Sequence, residues 1–292
     1  MCDSDQFDIP LILTGDDSAF RIKDAPGGEV HRLGAVEQSV SGLILQGNLK
    51  EVIHGTLTPN GPPATLVIME FGFIKMHSIS IHRFRQVTIK LRFFTEPNGG
   101  GTDPTVIKIA PYGEYGFNQT VLHKEVRHLA RAGIQSGGEL GIPATLGVAY
   151  ERETQLTREI TDRGSISGVI THDQVRSWGG KNVAQWCATE NHDKRSGVPT
   201  SIRVAVLLQR KKKAGRFLME TNIDAKVDVL YGIKESFLKV FGRLGNDAIT
   251  FDPDPQHALS TERTDLDSKN LASCNLENEM HIQVDPKLVQ GG

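Results

Sequence analysis

Histidines and a short group of carboxylates are the side chains best suited to acid–base or metal chemistry in this sequence. Asp247, Asp252 and Asp254 lie within eight residues of one another, beside two prolines. Calcium takes about six to eight oxygen ligands, and this spacing fits no calcium loop. Because Asp before Pro is ordinary in turns, we interpret the group as structural. His123 and His128 are five residues apart, a spacing that suits neither one helix face nor one strand face.

The remaining histidines give no stronger signal. His54, His77 and His82 lie on or near predicted strands, where any one of them could face a cavity. Two His-Asp pairs, at residues 172–173 and 192–193, put a base beside a carboxylate, but neighbours on a strand point to opposite faces. There is no Cys–x–x–Cys or His–Glu–x–x–His arrangement. We therefore predict no metal and no cofactor.

Motifs for nucleophilic or phosphate chemistry are equally weak. The segment GSISG at residues 164–168 resembles a hydrolase elbow, but its central residue is Ile166 rather than serine. Cys187 follows Trp186 on a predicted strand, and we interpret it as a small buried hydrophobe. The glycines at 99–101 lack the Lys-Ser/Thr of a phosphate-binding loop. No catalytic residue can be assigned.

A basic run extends from Arg210 to Lys213 and continues to Arg216, between two predicted strands. Contact with phosphates or an anionic membrane would gain about 1 kcal/mol per charge. We expect instead a solvated hairpin turn that prevents pairing with other chains, with membrane contact through Arg210–Lys213 as the alternative. The net charge of -2 gives no indication of nucleic-acid binding.

The candidate residues above must be positioned mainly by β-strands, because apolar and polar residues alternate with a period of two along the clearest stretches of the sequence. In the stretch from 181 to 229, Ile202, Val204, Val206 and Leu208 share one side of a segment. From Phe217 onwards, apolar and polar residues alternate over thirteen positions. We therefore predict three antiparallel strands joined by short turns, with Trp186 as the largest core side chain. Residues 64–74 are apolar on both sides, as in a central strand covered on two faces.

Runs of strands without alternating helices predict an all-β fold, an antiparallel β-sandwich or barrel-like domain with one or two short helices. We expect a single large β domain over residues 1–255, with packed sheets at 1–110 and 111–255 as one arrangement. Residues 256–292 are expected to form an extended or mobile tail. The stretch 121–132 fits a helix or a strand, and 145–160 alternates as a strand does.

The three cysteines are odd in number and far apart, which argues against a secreted disulfide framework. The start, MCDSDQFD, lacks an apolar signal region, and no apolar run reaches the roughly 18 residues of a spanning helix. These features predict a cytoplasmic protein.

Several motifs resemble a known group of proteins. They are RSWGGKNVAQW at 176–186, RVAVLLQR at 203–210 and NDAITFDP at 246–253, with PPATLVIMEFGF and HRFRQVTIKLRF earlier in the chain. The pattern is similar to a largely uncharacterised family of filamentous ascomycete fungi whose members are of about this length. The resemblance covers residues 50–255 and implies an all-β fold but no residue-level activity. Such fungal proteins sometimes accompany natural-product biosynthesis, where some act as cofactor-free cyclases.

Two functions follow as hypotheses. The first is a β protein of fungal specialised metabolism that binds an apolar small organic molecule and acts, if it is an enzyme, as a cofactor-independent isomerase or cyclase by preorganising its substrate. Its ligand-binding candidates are Trp178, Trp186, Tyr150 and Tyr112. The alternative is a non-enzymatic interaction or defence protein that engages a partner or an anionic membrane. The first predicts an apolar cavity, and the second predicts a filled interior with an exposed apolar or basic patch.

Overall fold

Alternating burial along the strands divides the protein into two antiparallel sheets. The computed structural model describes residues 29–40, 43–76, 83–95, 102–132, 150–173, 179–228, 247–254 and 266–284, with the backbone alone at 38–40, 120–132, 150–161 and 228. The strands are β1 (Gly34–Val40), β2 (Leu43–Thr56), β3 (Pro63–Lys75), β4 (Arg83–Phe94), β5 (Thr105–Ala110), β6 (Gly113–Ala132), β7 (Tyr150–Thr171), β8 (Val183–Thr189), β9 (Ser201–Gln209), β10 (Phe217–Asp228), β11 (Ile249–Phe251) and β12 (His281–Gln283).

The first sheet has the order β1-β2-β3-β9-β12, with β5 also paired to β9, and the second has the order β11-β10-β4-β8-β7-β6. Their inner faces meet in one core that includes Phe71, Phe93, Trp186 and Phe217. The all-β fold that the sequence predicts is therefore confirmed, and of the two predicted arrangements the described strands form the antiparallel sandwich rather than a closed barrel. The helices among the described residues are two single 3-10 turns, Leu271–Ser273 and Leu276–Asn278, and no helix there is long and apolar enough to span a membrane.

The three strands predicted between residues 181 and 229 are present, but consecutive strands do not pair with each other. β8 and β10 both pair with β4 in the second sheet, whereas β9 lies between β3 and β12 in the first. The prediction of a hairpin at the basic run is therefore wrong, because residues 210–216 cross from one sheet to the other. Period two indicates a buried face and carries no information about which strand is the partner.

β3 is covered on both faces, as its continuous apolar sequence predicts. Met69 and Phe71 face the core between the sheets, whereas Leu66 and Ile68 face a second cluster outside the first sheet. Leu271, from the segment 266–284, closes this outer cluster, and β12 pairs with β9 beside it. This part of the expected C-terminal tail thus lies across the sheet and contributes to the core.

The apolar side of β2 changes face partway along the strand. Leu45 and Leu49 face the inner core, but the pairing with β3 shifts between Leu49 and Glu51. After this bulge Val52 faces the inner core and Ile53 packs against the outer cluster. One extra residue reverses every later side chain, because strand side chains alternate.

β6 and β7 form the longest pairing among the described strands. Their backbones pair from Gly113↔Gly168 to Ala132↔Tyr150, so residues 121–132 are strand rather than helix. β8 pairs with β7 only over Ser165–Thr171. The rest of the β6–β7 ribbon therefore has no third strand beside it within the described part of the chain.

Candidate functional site

A cavity of about 320 Å³ lies where residues 210–216 cross between the sheets. The crossing forms one side, and the end of β4 with the approach to β5 forms the other. Such a volume is at the lower end of small-ligand sites, which span roughly 300–1,000 Å³. The described residues that line the cavity are Thr95, Thr102, Pro104, Arg210, Lys211, Lys212, Ala214, Gly215, Arg216 and Phe217.

Arg210 is the buried cation of this cavity, with only 5% of its surface exposed. Its guanidinium donates to the carbonyl oxygens of Lys213 at 2.7 Å and of Lys212 and Ala64 at 3.3 Å. Its Nε has no hydrogen-bond partner, and no carboxylate forms an ion pair with it among the described residues. Burial alone lowers the pKa of Arg210 to about 10. The three carbonyls therefore hold the guanidinium in place without neutralising its charge.

Further cations surround the mouth. Lys211 and Lys212 are exposed and form no ion pair with any described residue. Arg216 differs, because its Nε donates to Asp252 Oδ2 at 2.7 Å and this carboxylate is only 8% exposed. No acidic residue is among the described residues that line the cavity. Their combined charge is strongly positive, although the whole chain has a net charge of -2.

The β4–β5 side supplies hydroxyl groups. Thr95 lies at the cavity and donates from both its backbone N and its Oγ1 to Asp103 Oδ1, at 2.9 and 3.0 Å. Thr102 and Pro104 complete this side. Asp103 therefore fixes the end of β4 against the approach to β5.

Two histidines, the buried His31 and the half-buried His54, lie beside the Phe217 and Phe251 rings next to the cavity. The backbone N–H of Asp252 donates to His31 Nε2 at 3.2 Å, so this nitrogen is an acceptor. His54 Nε2 lies 3.3 Å from the same atom and must carry a proton to donate to it. His54 Nδ1 then accepts from the Thr65 hydroxyl at 2.9 Å. Both imidazoles are neutral in this arrangement.

The environment of His54 keeps it neutral. Burial lowers its pKa to about 3, assisted by the positive charge of Arg210 and by the charge that His31 gains on protonation. Asp252 acts in the opposite direction with a smaller effect. Protonation of His54 would place a second cation beside the uncompensated guanidinium, so this region resists acid poorly.

Aromatic rings support the cavity from the core. Phe217 and Phe251 are stacked, with their centroids 4.8 Å apart and an interplanar angle of 7°. The ring centroids of His54 and Phe217 are 6.5 Å apart at an interplanar angle of 89°, and those of His31 and Phe251 are 5.6 Å apart. The cationic cavity is therefore bordered on its core side by Phe217, one ring of a stacked aromatic pair.

The predicted ligand-binding residues do not gather at this cavity. Trp186 is buried between the sheets and donates from Nε1 to the Pro111 carbonyl at 2.9 Å. Tyr112 is 62% exposed. Of Tyr150 the structure describes the backbone alone, and Trp178 lies outside the described residues.

Other sequence candidates have structural surroundings. Asp252 pairs with Arg216 and accepts the backbone N–H of Asp254 at 3.0 Å, as expected of a turn. No group of three metal-ligating side chains occurs in the described ranges. Cys187 is half-buried rather than buried, because Trp186 occupies the inner face, and its sulfur accepts from Gln86 Nε2 at 3.2 Å.

Two features of the site escaped the sequence reasoning. Arg210 belongs to the basic run but, unlike its neighbours, is buried, and its partner Ala64 is distant in the chain. His31 lies in a segment without periodicity and reaches His54 only in the folded protein. The sequence signals for this site were the basic run that contains Arg210 and the position of His54 on a predicted strand.

Comparisons with known proteins add little. No protein-family model matches the sequence, and no curated protein matches it. The NetB toxin of Clostridium perfringens in its membrane-inserted form is 10% identical, with 67% of this chain and 83% of that chain covered and a TM-score of 0.27. A structure described as a pore forming protein is 9% identical, with coverages of 66% and 77% and a TM-score of 0.32. Clostridium perfringens delta-toxin is 8% identical, with coverages of 74% and 91% and a TM-score of 0.26. Similarity at this level establishes neither a shared fold nor a shared activity.

Proposed function

We propose that this protein is a non-enzymatic interaction protein that engages an anionic membrane surface through the cavity at residues 210–216. The observation that carries the proposal is Arg210, a buried guanidinium with no carboxylate partner among the described residues. Exposed Lys211 and Lys212 stand at the same mouth. An uncompensated buried cation is costly to the free protein, and an incoming anion would remove part of that cost.

The β6–β7 ribbon provides independent support for an interaction protein. Beyond the segment that β8 covers, its backbone pairs only within itself among the described strands. An isolated two-stranded ribbon is marginally stable in water, so a surface that receives it would stabilise it. In sequence, residues 145–160 alternate between apolar and polar types. We therefore propose the ribbon as a second contact with the membrane.

Co-sedimentation with vesicles tests the proposal. The wild-type protein should bind phosphatidylcholine vesicles that contain phosphatidylserine and should not bind pure phosphatidylcholine, and added salt should weaken the binding. The double variant K211Q/K212Q should lose at least about tenfold in partitioning, at about 1 kcal/mol per charge. The matched control K75Q/K226Q removes the same charge from exposed positions away from the cavity and should bind nearly as wild type. If both double variants lost the same amount of vesicle binding, the binding would depend on the overall charge of the protein and not on the cavity.

Release of an entrapped dye tests the ribbon separately. Contact of the ribbon with the bilayer should release dye from the anionic vesicles that bind the protein. If the protein bound the vesicles without releasing the dye, the cavity would remain as the membrane contact and the ribbon would not be one.

A small-molecule-binding protein is the second candidate, favoured by the volume of the cavity and by Phe217 in its wall. The charge of the lining favours an anionic ligand over the apolar molecule that the sequence predicts. The isomerase or cyclase activity, the ascomycete family and the cytoplasmic location stay predictions. Mass spectrometry of small molecules retained by the purified protein, after incubation with a cell extract, tests this candidate. A retained organic anion would support it, and an empty protein that still binds vesicles would exclude it.

A further inference from the structure

We infer that the cavity at residues 210–216 is a recognition site for one phosphomonoester group, with Arg210 as the cation that recognises it. The inference rests on the proposed function because it uses the same cavity, and it names the chemical group that the cavity accepts. Phosphomonoesters occur both as lipid headgroups and as soluble metabolites, and the experiment below separates these sources.

The charge that the ligand should carry can be inferred from which cations of the cavity already form ion pairs and which do not. Arg216 is largely neutralised by Asp252, whose carboxylate lies 2.7 Å from its Nε and its terminal nitrogen. Arg210, Lys211 and Lys212 have no such partner among the described residues. A carboxylate or a phosphodiester supplies one negative charge to these three cations, whereas a phosphomonoester supplies about 1.5 to 2 near neutral pH. The charge balance therefore favours the phosphomonoester.

The arrangement of donors also fits a phosphate group. The guanidinium of Arg210 is fixed by the carbonyls of Ala64, Lys212 and Lys213, so it meets a ligand in one orientation. Preorganised guanidinium groups suit phosphate oxygens, and lysine ammonium groups add charge without demanding one geometry. The hydroxyl-bearing Thr102 stands on the opposite side of the cavity.

The apolar part of the cavity lining offers a surface for the carbon group that an ester attaches to the phosphate. Phe217 and Pro104 border the same cavity, and Phe217 is held by its stacking on Phe251. A carbon chain attached to the phosphate could lie against these surfaces. Inorganic phosphate would occupy the cationic part alone, so we expect an ester to bind more tightly.

Isothermal titration calorimetry with glycerol 3-phosphate tests the inference in the full chain. We expect one molecule bound per chain, with glycerol 3-phosphocholine, a phosphodiester, binding at least about tenfold more weakly, and with inorganic phosphate, which lacks the carbon chain, binding more weakly than the ester. The variant Arg210→Met should lose at least about tenfold in affinity. Lys226→Gln is the matched control, because it removes one positive charge from an exposed position that does not line the cavity, and its affinity should change less than about threefold.

A purely structural role for Arg210 has a different signature. If the guanidinium only holds the crossing together, Arg210→Met lowers the thermal midpoint, while glycerol 3-phosphate leaves the midpoint of the wild-type protein unchanged. We expect glycerol 3-phosphate to raise the wild-type midpoint at constant ionic strength, because a ligand of the native state stabilises it. An unchanged wild-type midpoint together with no calorimetric binding overturns the inference.

Vesicles separate the two sources. Phosphatidic acid has a phosphomonoester headgroup and phosphatidylglycerol a phosphodiester, and the two lipids are compared at equal surface charge. Preference for phosphatidic acid, with binding of glycerol 3-phosphate, supports the lipid as source. Binding of glycerol 3-phosphate without vesicle binding supports a soluble ligand and overturns the proposed membrane function alone. Equal vesicle binding to both lipids without binding of glycerol 3-phosphate overturns this inference and leaves the proposed function standing.

Discussion

Acidification from pH 7.5 to 5.0 should destabilise the native protein by about 2 kcal/mol through His54 alone. His54 is half-buried and neutral in the fold, where its Nδ1 accepts from Thr65 and its Nε2 donates to His31. Arg210 and the chargeable His31 both oppose its protonation, and Asp252 favours it only weakly. In the unfolded chain His54 is solvated and protonates at its ordinary pKa.

The magnitude follows from the two pKa values of His54. Its pKa falls from 6.5 in the unfolded chain to about 3 in the native state. Below pH 6.5 the unfolded state binds more protons than the native state, so acid favours unfolding. This contribution to stability is fully present above pH 6.5 and is lost progressively as the pH falls towards about 3. At pH 5.0, one and a half pKa units at about 1.4 kcal/mol each give about 2 kcal/mol.

Urea denaturation at both pH values measures the effect. The variant His54→Gln keeps an amide that can bond Thr65 and His31 but does not titrate, so its loss of unfolding free energy between pH 7.5 and 5.0 should be about 2 kcal/mol smaller than that of the wild type. His192→Gln, at an exposed turn, is the matched control and should behave as wild type. An equal pH dependence in wild type and His54→Gln would refute the reasoning.

Three further substitutions test the packing, each by urea denaturation. Gly168→Ala should cost several kcal/mol, because its Cβ would lie 2.0 Å from the Pro111 carbonyl oxygen and 2.8 Å from the Trp186 ring. Leu271→Ala should cost about 2–5 kcal/mol, because it opens a cavity in the outer cluster. Glu190→Gln should cost about 1.5–3 kcal/mol, since this 1% exposed carboxylate accepts hydrogen bonds from Arg83 and Arg85, whose side chains remain partly exposed.

Each substitution has an outcome that contradicts its reasoning. Gly72→Ala is the control for Gly168, because the nearest atom to its Cβ would be 3.8 Å away, and it should change stability little. If Gly168→Ala lowered the unfolding free energy only slightly, the Pro111 carbonyl would have to be able to shift away from the new Cβ. A Leu271→Ala protein as stable as wild type would mean that the C-terminal segment contributes nothing to the core. A neutral Glu190→Gln would mean that Arg83 and Arg85 do not depend on its charge.

The strands were predictable because their burial is periodic. The alternation in β4 and β10 and the continuous apolar run of β3 each correspond to the faces that the fold covers. The pairing partner of each strand was not predictable from periodicity. For example, β9 lies in the first sheet, whereas β8 and β10, which flank it in sequence, lie in the second. The bulge after Leu49 could not be predicted either, because a shift in the pairing register leaves no mark in the amino-acid sequence.

The site was predictable only in part. The basic run indicated a cationic surface, but not that Arg210 is buried, because charged residues in turns are ordinarily solvated. Its burial depends on the crossing between sheets and on the Ala64 carbonyl, 146 residues away in the chain. The meeting of His31 with His54 likewise joins a segment without periodicity to a strand. Trp186 was correctly predicted to be a core side chain, and it lies between the sheets.

Hydrogen exchange of the wild-type protein, with and without phosphatidylserine-containing vesicles, tests the central claim most directly, because it locates the contact without a substitution. The account predicts slower exchange of the backbone amides of residues 211–216 in the presence of anionic vesicles, and unchanged exchange in the segment 271–278. Pure phosphatidylcholine vesicles should leave both segments unchanged. Vesicle binding with unaltered exchange at 211–216 would contradict the account, because the membrane would then contact the protein elsewhere.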